Sequence, residues 1–147
     1  MTYIHPEVDY SLKWGKFHSK MIILKFENFI RIIIPTANLT RFDWYTLGQI
    51  VWFQDFYEKN ENSPTSSSKE FENYLNLIFE KTLPKEYKYQ NWFKDLNIDF
   101  SKYDYMNCII DIVASFSGRF TEVKNVGLGR VKDLMKKYDF KKKKSKK

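Results

Sequence analysis

Cysteine is almost absent. Cys108 is the single thiol of the chain, so an internal disulfide is impossible and a reducing compartment is expected. It lies within an apolar run and reads as a buried structural thiol, not a nucleophile. No stretch reaches the roughly 18 apolar residues of a membrane-spanning helix, and no membrane partner is expected. The N-terminus lacks the charged-then-apolar pattern of a secretory signal, and no internal repeat is visible. Histidine is scarce too: His5 and His18 are the two in the chain. His5 is followed by Pro6 and Glu7 and reads as a surface residue, so imidazole chemistry points first to His18.

What is present suffices for one ordinary core. The 147 residues are 43% hydrophobic and 18% aromatic, which is globular and not disordered. The formal net charge is +7, but six lysines crowd into 141–147. Without them 19 basic side chains face 18 acidic ones, so the body is close to neutral. The lysine-rich tail reads as a solvated end; a nuclear-import signal or a non-specific phosphate binder is the alternative.

The chain is organised around the stretch from Trp14 to Trp52. Strand alternation puts His18 and Lys20 on one face, and the strand runs on through Met21–Phe26. A tight turn is expected at Glu27-Asn28, since Asn tolerates the positive φ that hairpin turns need. A second strand, Phe29–Ile34, returns alongside, and Asn38 follows in the Pro35-Thr36-Ala37-Asn38-Leu39 loop. An antiparallel hairpin brings that loop back beside His18 and Lys20. An imidazole, an ammonium and a carboxamide at one point suit a phosphate: Lys and Asn hold its non-bridging oxygens while a neutral imidazole nitrogen attacks phosphorus. Asn38 has a competing role as a turn former after Pro35. Lys20 between apolar neighbours is costly to bury without an anion.

The pattern His-x-Lys, then Asn eighteen residues after the Lys, resembles the first half-site of the tyrosyl-DNA phosphodiesterases, a branch of the phospholipase D superfamily. Pro-Thr-Ala-Asn-Leu, Asp43-Trp44 and Gln49-Ile-Val-Trp52 fall where that family has equivalents. Fainter similarity runs through Ser115-Phe-Ser-Gly-Arg-Phe120 and Gly129–Tyr138, so the likeness covers about residues 14–138. Lipid-cleaving members of the superfamily carry Asp five residues after the motif Lys; here that position is Lys25, which favours the DNA-repair branch.

The resemblance implies a hydrolase that cleaves 3′-phosphodiester adducts on DNA, such as tyrosyl links from trapped topoisomerase, through a phosphohistidine. No cofactor and no metal are required. His18 is then the nucleophile, with Lys20 and Asn38 binding phosphate. An amide near Gln49 orients the catalytic histidine of the other half-site. Trp14 stacks on a base, and Ser115 and Ser117 contact DNA phosphates. Read from the residues alone, Trp14 is as well a core or rim residue, and Ser115–Phe120 an ordinary polar turn. The implied partner is DNA with single-stranded 3′ ends, and the implied location the nucleus.

The expected fold is α/β: a partial phospholipase D-like fold, with a mixed β-sheet flanked by helices. It spans the end of lobe one and the start of lobe two. Residues 1–62 form the remainder of the first lobe with the half-site, 63–140 the start of the second, and 141–147 the lysine tail. Asp43 reads as a turn or cap residue, and Gln49–Phe53 alternates like a strand. Polar residues from Glu58 to Lys69 form a linker. Ser68 caps a helix from Lys69 to about Lys81, whose Phe71, Tyr74, Leu75, Ile78 and Phe79 share a face, and Pro84 ends it. A short helix near Asn91–Leu96, a strand over Tyr105–Ala114 and a helix over Gly129–Tyr138 complete the order.

The second histidine of the family, the general acid, has no counterpart in this sequence. The second half-site is then expected from missing sequence or from a second copy. The alternatives are a catalytically inactive single-strand DNA-binding remnant, a truncated gene product, or a fragment whose exposed apolar edges aggregate.

Overall fold

The computed structural model describes residues 18–61, 63, 69–83, 98–116 and 125–138. Trp14, His5, Ser68, Pro84, Ser117, the Asn91–Leu96 helix and the lysine tail lie outside the described residues.

Three antiparallel strands form the sheet, in the order β1 (Ile22–Lys25), β2 (Phe29–Pro35), β3 (Val51–Tyr57). β1 pairs with β2 from Ile22 opposite Ile33 to Lys25 opposite Ile30. The Phe26 N–H donates to the Phe29 carbonyl at 2.9 Å and closes the Glu27-Asn28 hairpin, where the Phe26 and Phe29 rings stack at 4.3 Å. β2 pairs with β3 from Phe29 opposite Tyr57 to Pro35 opposite Val51. The described sheet is thus antiparallel throughout and not mixed: a two-residue turn and a short helical excursion each return the chain beside the strand it has just left.

β1 is shorter than its apolar run. The hairpin-closing bond makes Phe29, Arg31, Ile33 and Pro35 the β2 residues whose backbone groups face β1. The next rung would need an N–H from Pro35 to reach Lys20, and proline has none. The ladder therefore stops at Ile22, and residues 18–20 lie outside any strand.

Alternation sorts the sheet into two faces. Met21, Ile23, Ile30, Ile32, Ile34, Trp52 and Phe56 point inward. Ile30 and Ile32 are fully buried, and Phe56, Leu75, Phe100, Tyr103 and Tyr105 complete the core. Helix α2 (Lys69–Thr82) covers this face with Tyr74 and Leu75 buried and Phe71 and Phe79 packed against the cluster. Its acidic first turn and basic last turn suit the helix dipole. The rings of Phe56, Phe71 and Tyr105 meet at 4.8–5.4 Å. Burial pushes the Tyr105 phenol far above its ordinary pKa, and its hydroxyl donates to the Phe100 carbonyl at 3.0 Å.

The outer face holds Leu24, Phe26, Phe53 and Tyr57, each at least two-fifths exposed. In its midst Arg31 makes a two-pronged pair with Asp55, at 2.6 and 2.8 Å, and its guanidinium lies 5.8 Å from the Phe26 ring and 5.3 Å from that of Phe53.

Tyr105–Ala114 forms no strand, contrary to its apolar pattern. A bridge joins Tyr103 to Glu58 beside the end of β3, but the chain then turns, with the Cys108 N–H donating to the Tyr105 carbonyl. Two of its backbone groups bond side chains of other elements. Gln54 donates to the Asn107 carbonyl at 2.8 Å, and the Ala114 N–H donates to the Tyr74 hydroxyl at 3.1 Å. Cys108 is half-buried, and burial raises its thiol pKa, as suits a structural thiol. Helix α3 (Gly127–Lys137) follows, starting two residues earlier than its apolar pattern indicates. Gly127 sits at φ +47°, in the left-handed region that favours glycine.

Phe56→Ala removes the ring on which β3, α2 and Tyr105 converge. It is expected to destabilise the fold by about 3–5 kcal/mol, measured by urea unfolding.

Candidate functional site

The site is built where the β1–β2 ladder runs out. Carrying the register past Ile22–Ile33 sets Lys20 opposite Pro35 and His18 opposite Ala37. The half-buried Lys20 folds back on exposed His18. Its Nζ donates to the His18 carbonyl at 2.9 Å and lies 2.9 Å from Nδ1 and 2.8 Å from Nε2 of the ring. The ammonium thus sits against the ring, near both nitrogens and along the lone-pair direction of neither. The pairing does not come from strand alternation, since neither residue is in a strand. It comes from the length and freedom of the lysine side chain.

The opposite wall is the 36–40 loop. Ala37 is wholly buried and anchors it. Thr40 caps the short helix α1 (Arg41–Tyr45), accepting from the Asp43 N–H. Asp43, buried in the first turn, returns a bond as Thr40 donates to its Oδ1 at 2.9 Å. The two side chains thus brace each other at the helix start, with Thr40 as the cap and Asp43 in the first turn; the returned bond comes from the Thr40 hydroxyl, not from its backbone N–H as in a capping box. Asp43 also reaches back to Asn38: Oδ2 accepts the Asn38 N–H at 2.6 Å and its Nδ2 at 2.8 Å. The indole Nε1 of Trp44 donates to the Asn38 carbonyl at 2.9 Å. Asn38 is therefore fixed at three atoms, while its side chain stays exposed and, among the described residues, Oδ1 and one amide hydrogen are open.

The two walls are electrostatically joined. The Asp43 carboxyl is held below its ordinary pKa chiefly by the Asn38 N–H, then by Thr40 and the Asn38 amide, and also by the charge of Lys20. His18 and Lys20 meet directly. Asn38 joins them through Asp43, not by a bond of its own among the described residues.

Gln49 stands at the rim. The Thr36 hydroxyl donates to Gln49 Oε1 at 2.5 Å and accepts the Ile50 N–H at 3.0 Å. Among the described residues this leaves the Gln49 amide N–H groups as its open end. Ser115 is exposed, 3.7 Å from where a Cβ on Gly127 would lie; among the described residues no hydrogen bond joins it to His18, Lys20 or Asn38. Trp14 and Ser117 lie outside the described residues. No group of three or more His, Cys, Asp or Glu among the described residues is placed to hold a metal ion, and none of the described helices is long and apolar enough to cross a membrane.

Two features escape the sequence pattern. One is the hold of Asp43 and Trp44 on Asn38; the Thr40-x-x-Asp43 spacing is its visible trace. The other is a charged cluster between α2 and α3. Lys137 lies 2.8 Å and Arg130 3.2 Å from Glu70, and both lie 3.6 Å from Asp111. The Tyr138 hydroxyl donates to Asp111 at 2.6 Å, and Arg130 lies 4.5 Å over the Tyr74 ring. The Lys137 bond, first among its causes, lowers the Glu70 pKa. These groups are far apart in sequence, so no local signal announces them.

The family model described as Tyrosyl-DNA phosphodiesterase matches residues 3–147. Tyrosyl-DNA phosphodiesterase 1 of Arabidopsis thaliana is 30% identical over a region covering 75% of this chain and 19% of the relative. The chain thus spans about a fifth of the length of that curated relative.

Because the Asp43 pKa is depressed in the folded protein, its stabilising contribution is complete above the ordinary Asp value of about 3.9. It is lost as pH falls through the lower native value. Asp43→Asn is expected to lower the neutral plateau of melting temperature and to change the acid end least, so that the acid limb flattens. Thermal melts between about pH 2 and 7 check this; an unchanged limb would contradict it.

Proposed function

This chain belongs to the tyrosyl-DNA phosphodiesterase family, and from that membership we propose that it acts on 3′-phosphodiester adducts of DNA, such as a 3′-phosphotyrosyl end, as a DNA-repair hydrolase. His18 is the nucleophile, and Lys20 and Asn38 hold the non-bridging phosphate oxygens. The observation that carries this reading is the approach of Lys20 to both ring nitrogens of His18 at 2.8–2.9 Å, supported by the effect of the Lys20 charge on Asp43, which holds the Asn38 amide.

The chemistry needs three properties of these groups. The ammonium of Lys20 neutralises phosphate charge as the nucleophile approaches. An arriving phosphate offers Lys20 a stronger, charge-assisted acceptor than the imidazole ring, so binding draws the ammonium off the ring. A His18 ring nitrogen then attacks phosphorus, the bond to the tyrosyl oxygen breaks, and a phosphohistidine joined to the DNA 3′ end forms. A general acid protonates the leaving phenolate. Water then attacks phosphorus, the P–N bond breaks, and a 3′-phosphate end is released.

The general acid is a second histidine in the two-lobed site we propose, with the lobe junction near residues 62–63. It comes from a second copy of the half-site or from sequence beyond this chain. Gln49, with its oxygen engaged by Thr36, would orient groups at that junction through its amide N–H. Trp14, Ser115 and Ser117 are proposed contacts to the DNA strand, and the lysine tail a nuclear address. A second reading, DNA binding without turnover, is favoured by the histidine count: His5 and His18 are the two in the chain, and one of them belongs to this half-site.

The test is hydrolysis of a 3′-phosphotyrosyl oligonucleotide in EDTA by the wild type and by His18→Ala. Metal-independent release that falls by at least 10² in the variant supports catalysis through His18. Salt-sensitive binding without release supports the binding reading. Neither binding nor release refutes both.

A further inference from the structure

We infer that Asp43, with Trp44, is a positioning residue that presets the Asn38 carboxamide for an incoming phosphate. This rests on the phosphate-binding role of Asn38 proposed above.

The Asn38 side chain projects from an exposed loop, and a free asparagine there would sample several rotamers. Asp43 removes that freedom. One carboxylate oxygen takes both the backbone N–H and the side-chain Nδ2 of Asn38, which fixes the side chain relative to its own backbone. The other oxygen is occupied by Thr40, which fixes the carboxylate. Trp44 holds the Asn38 carbonyl, which fixes the peptide plane. Asp43 is itself buried and tied to the first turn of α1, so the whole clamp is braced by a helix. Among the described residues the second Nδ2 hydrogen has no acceptor and is left to donate.

A purely electrostatic view predicts the opposite effect of Asp43. A carboxylate this close to an anion site repels the anion, and its charge is felt by Lys20. Removing the charge while keeping the geometry would tighten phosphate binding. Asn at position 43 can keep the geometry: its amide oxygen takes the Asn38 N–H and Nδ2–H, and its amide nitrogen donates to the Thr40 hydroxyl in place of the bond Thr40 now gives. Alanine removes both oxygens. Positioning therefore predicts that Asp43→Ala weakens phosphate binding and Asp43→Asn leaves it nearly unchanged; repulsion predicts that both tighten it.

The experiment titrates inorganic phosphate into the ¹⁵N-labelled full chain and follows the amide and imidazole signals of His18, Lys20 and Asn38. The proteins are wild type, Asp43→Ala, Asp43→Asn, Asn38→Ala and the Asp43→Ala/Asn38→Ala double variant, with unshifted Ile30, Ile32 and Leu75 signals reporting that the core is intact. Asp43→Ala is expected to weaken phosphate about tenfold in the wild type and not at all in the Asn38→Ala background; Asp43→Asn is expected to leave it within about twofold. Trp44→Phe, which removes the indole N–H with part of the ring, is expected to weaken it about two- to threefold, again only when Asn38 is present. Equal loss in both backgrounds, or unchanged or tighter binding by Asp43→Ala, overturns the positioning role and leaves the phosphate site standing. Absence of any phosphate-dependent shift at His18, Lys20 and Asn38 in the wild type overturns the phosphate site itself, and the positioning role with it.

Discussion

The register of the β1–β2 hairpin is the constraint on which the rest depends. With Ile22 set opposite Ile33, one face of the sheet receives Ile23, Ile30, Ile32 and Ile34 and becomes the floor of the core. The same register carries residues 18–20 to the mouth of the 35–38 loop. A slip of one residue would turn the isoleucines outward and reverse the hairpin's faces. Core and site are thus two readings of one alignment, and the core's burial holds the site's geometry in place.

The hairpin was legible in the sequence because its signals are local. Two apolar runs flank Glu27-Asn28, and β2 ends one residue later than its apolar run. Helix α2 was legible for the same reason: Phe71, Tyr74, Leu75, Ile78 and Phe79 repeat at the helical period. Tyr105–Ala114 misled because an apolar run says that a segment is buried, not that it finds a ladder. Its Asn107 carbonyl and Ala114 N–H bond Gln54 and Tyr74, and those partners lie on other elements. The spacing of His18, Lys20 and Asn38 was legible, but its mechanism was not. Alternation suggested a strand carrying His18 and Lys20, whereas Pro35 ends the ladder before them and the lysine reaches back on its own. The Asp43 bonds to Asn38 depend on how tightly α1 follows the loop, which the capping pattern implied without specifying.

The charged cluster of Glu70, Asp111, Arg130 and Lys137 does for the far side of the molecule what Asp43 does for the loop. It gathers α2, α3 and the segment leading to Ala114 around the Tyr74 ring. The Tyr74 hydroxyl donates to the Asn125 carbonyl at 2.9 Å and accepts from Ala114, so one side chain ties three segments. Arg130 is mostly buried, with two carboxylates and an aromatic face around it. Its packing and its hydrogen bonds therefore matter together, and a lysine there would keep the charge and lose the planar stacking.

The outer sheet face sets a condition on any surface that approaches it. Leu24, Phe26, Phe53 and Tyr57 would by themselves invite another apolar sheet to stack on them. The Arg31–Asp55 pair stands in their midst, part exposed at 34% and 25%. A dry apolar sheet laid across the face would strip water from both ions and return no hydrogen bonds to their remaining donors and acceptors, which is unfavourable. The face therefore discriminates among neighbours by polarity. It resists indiscriminate stacking of unfolded or identical chains and admits a surface that brings water or matching polar groups to the guanidinium and the carboxylate.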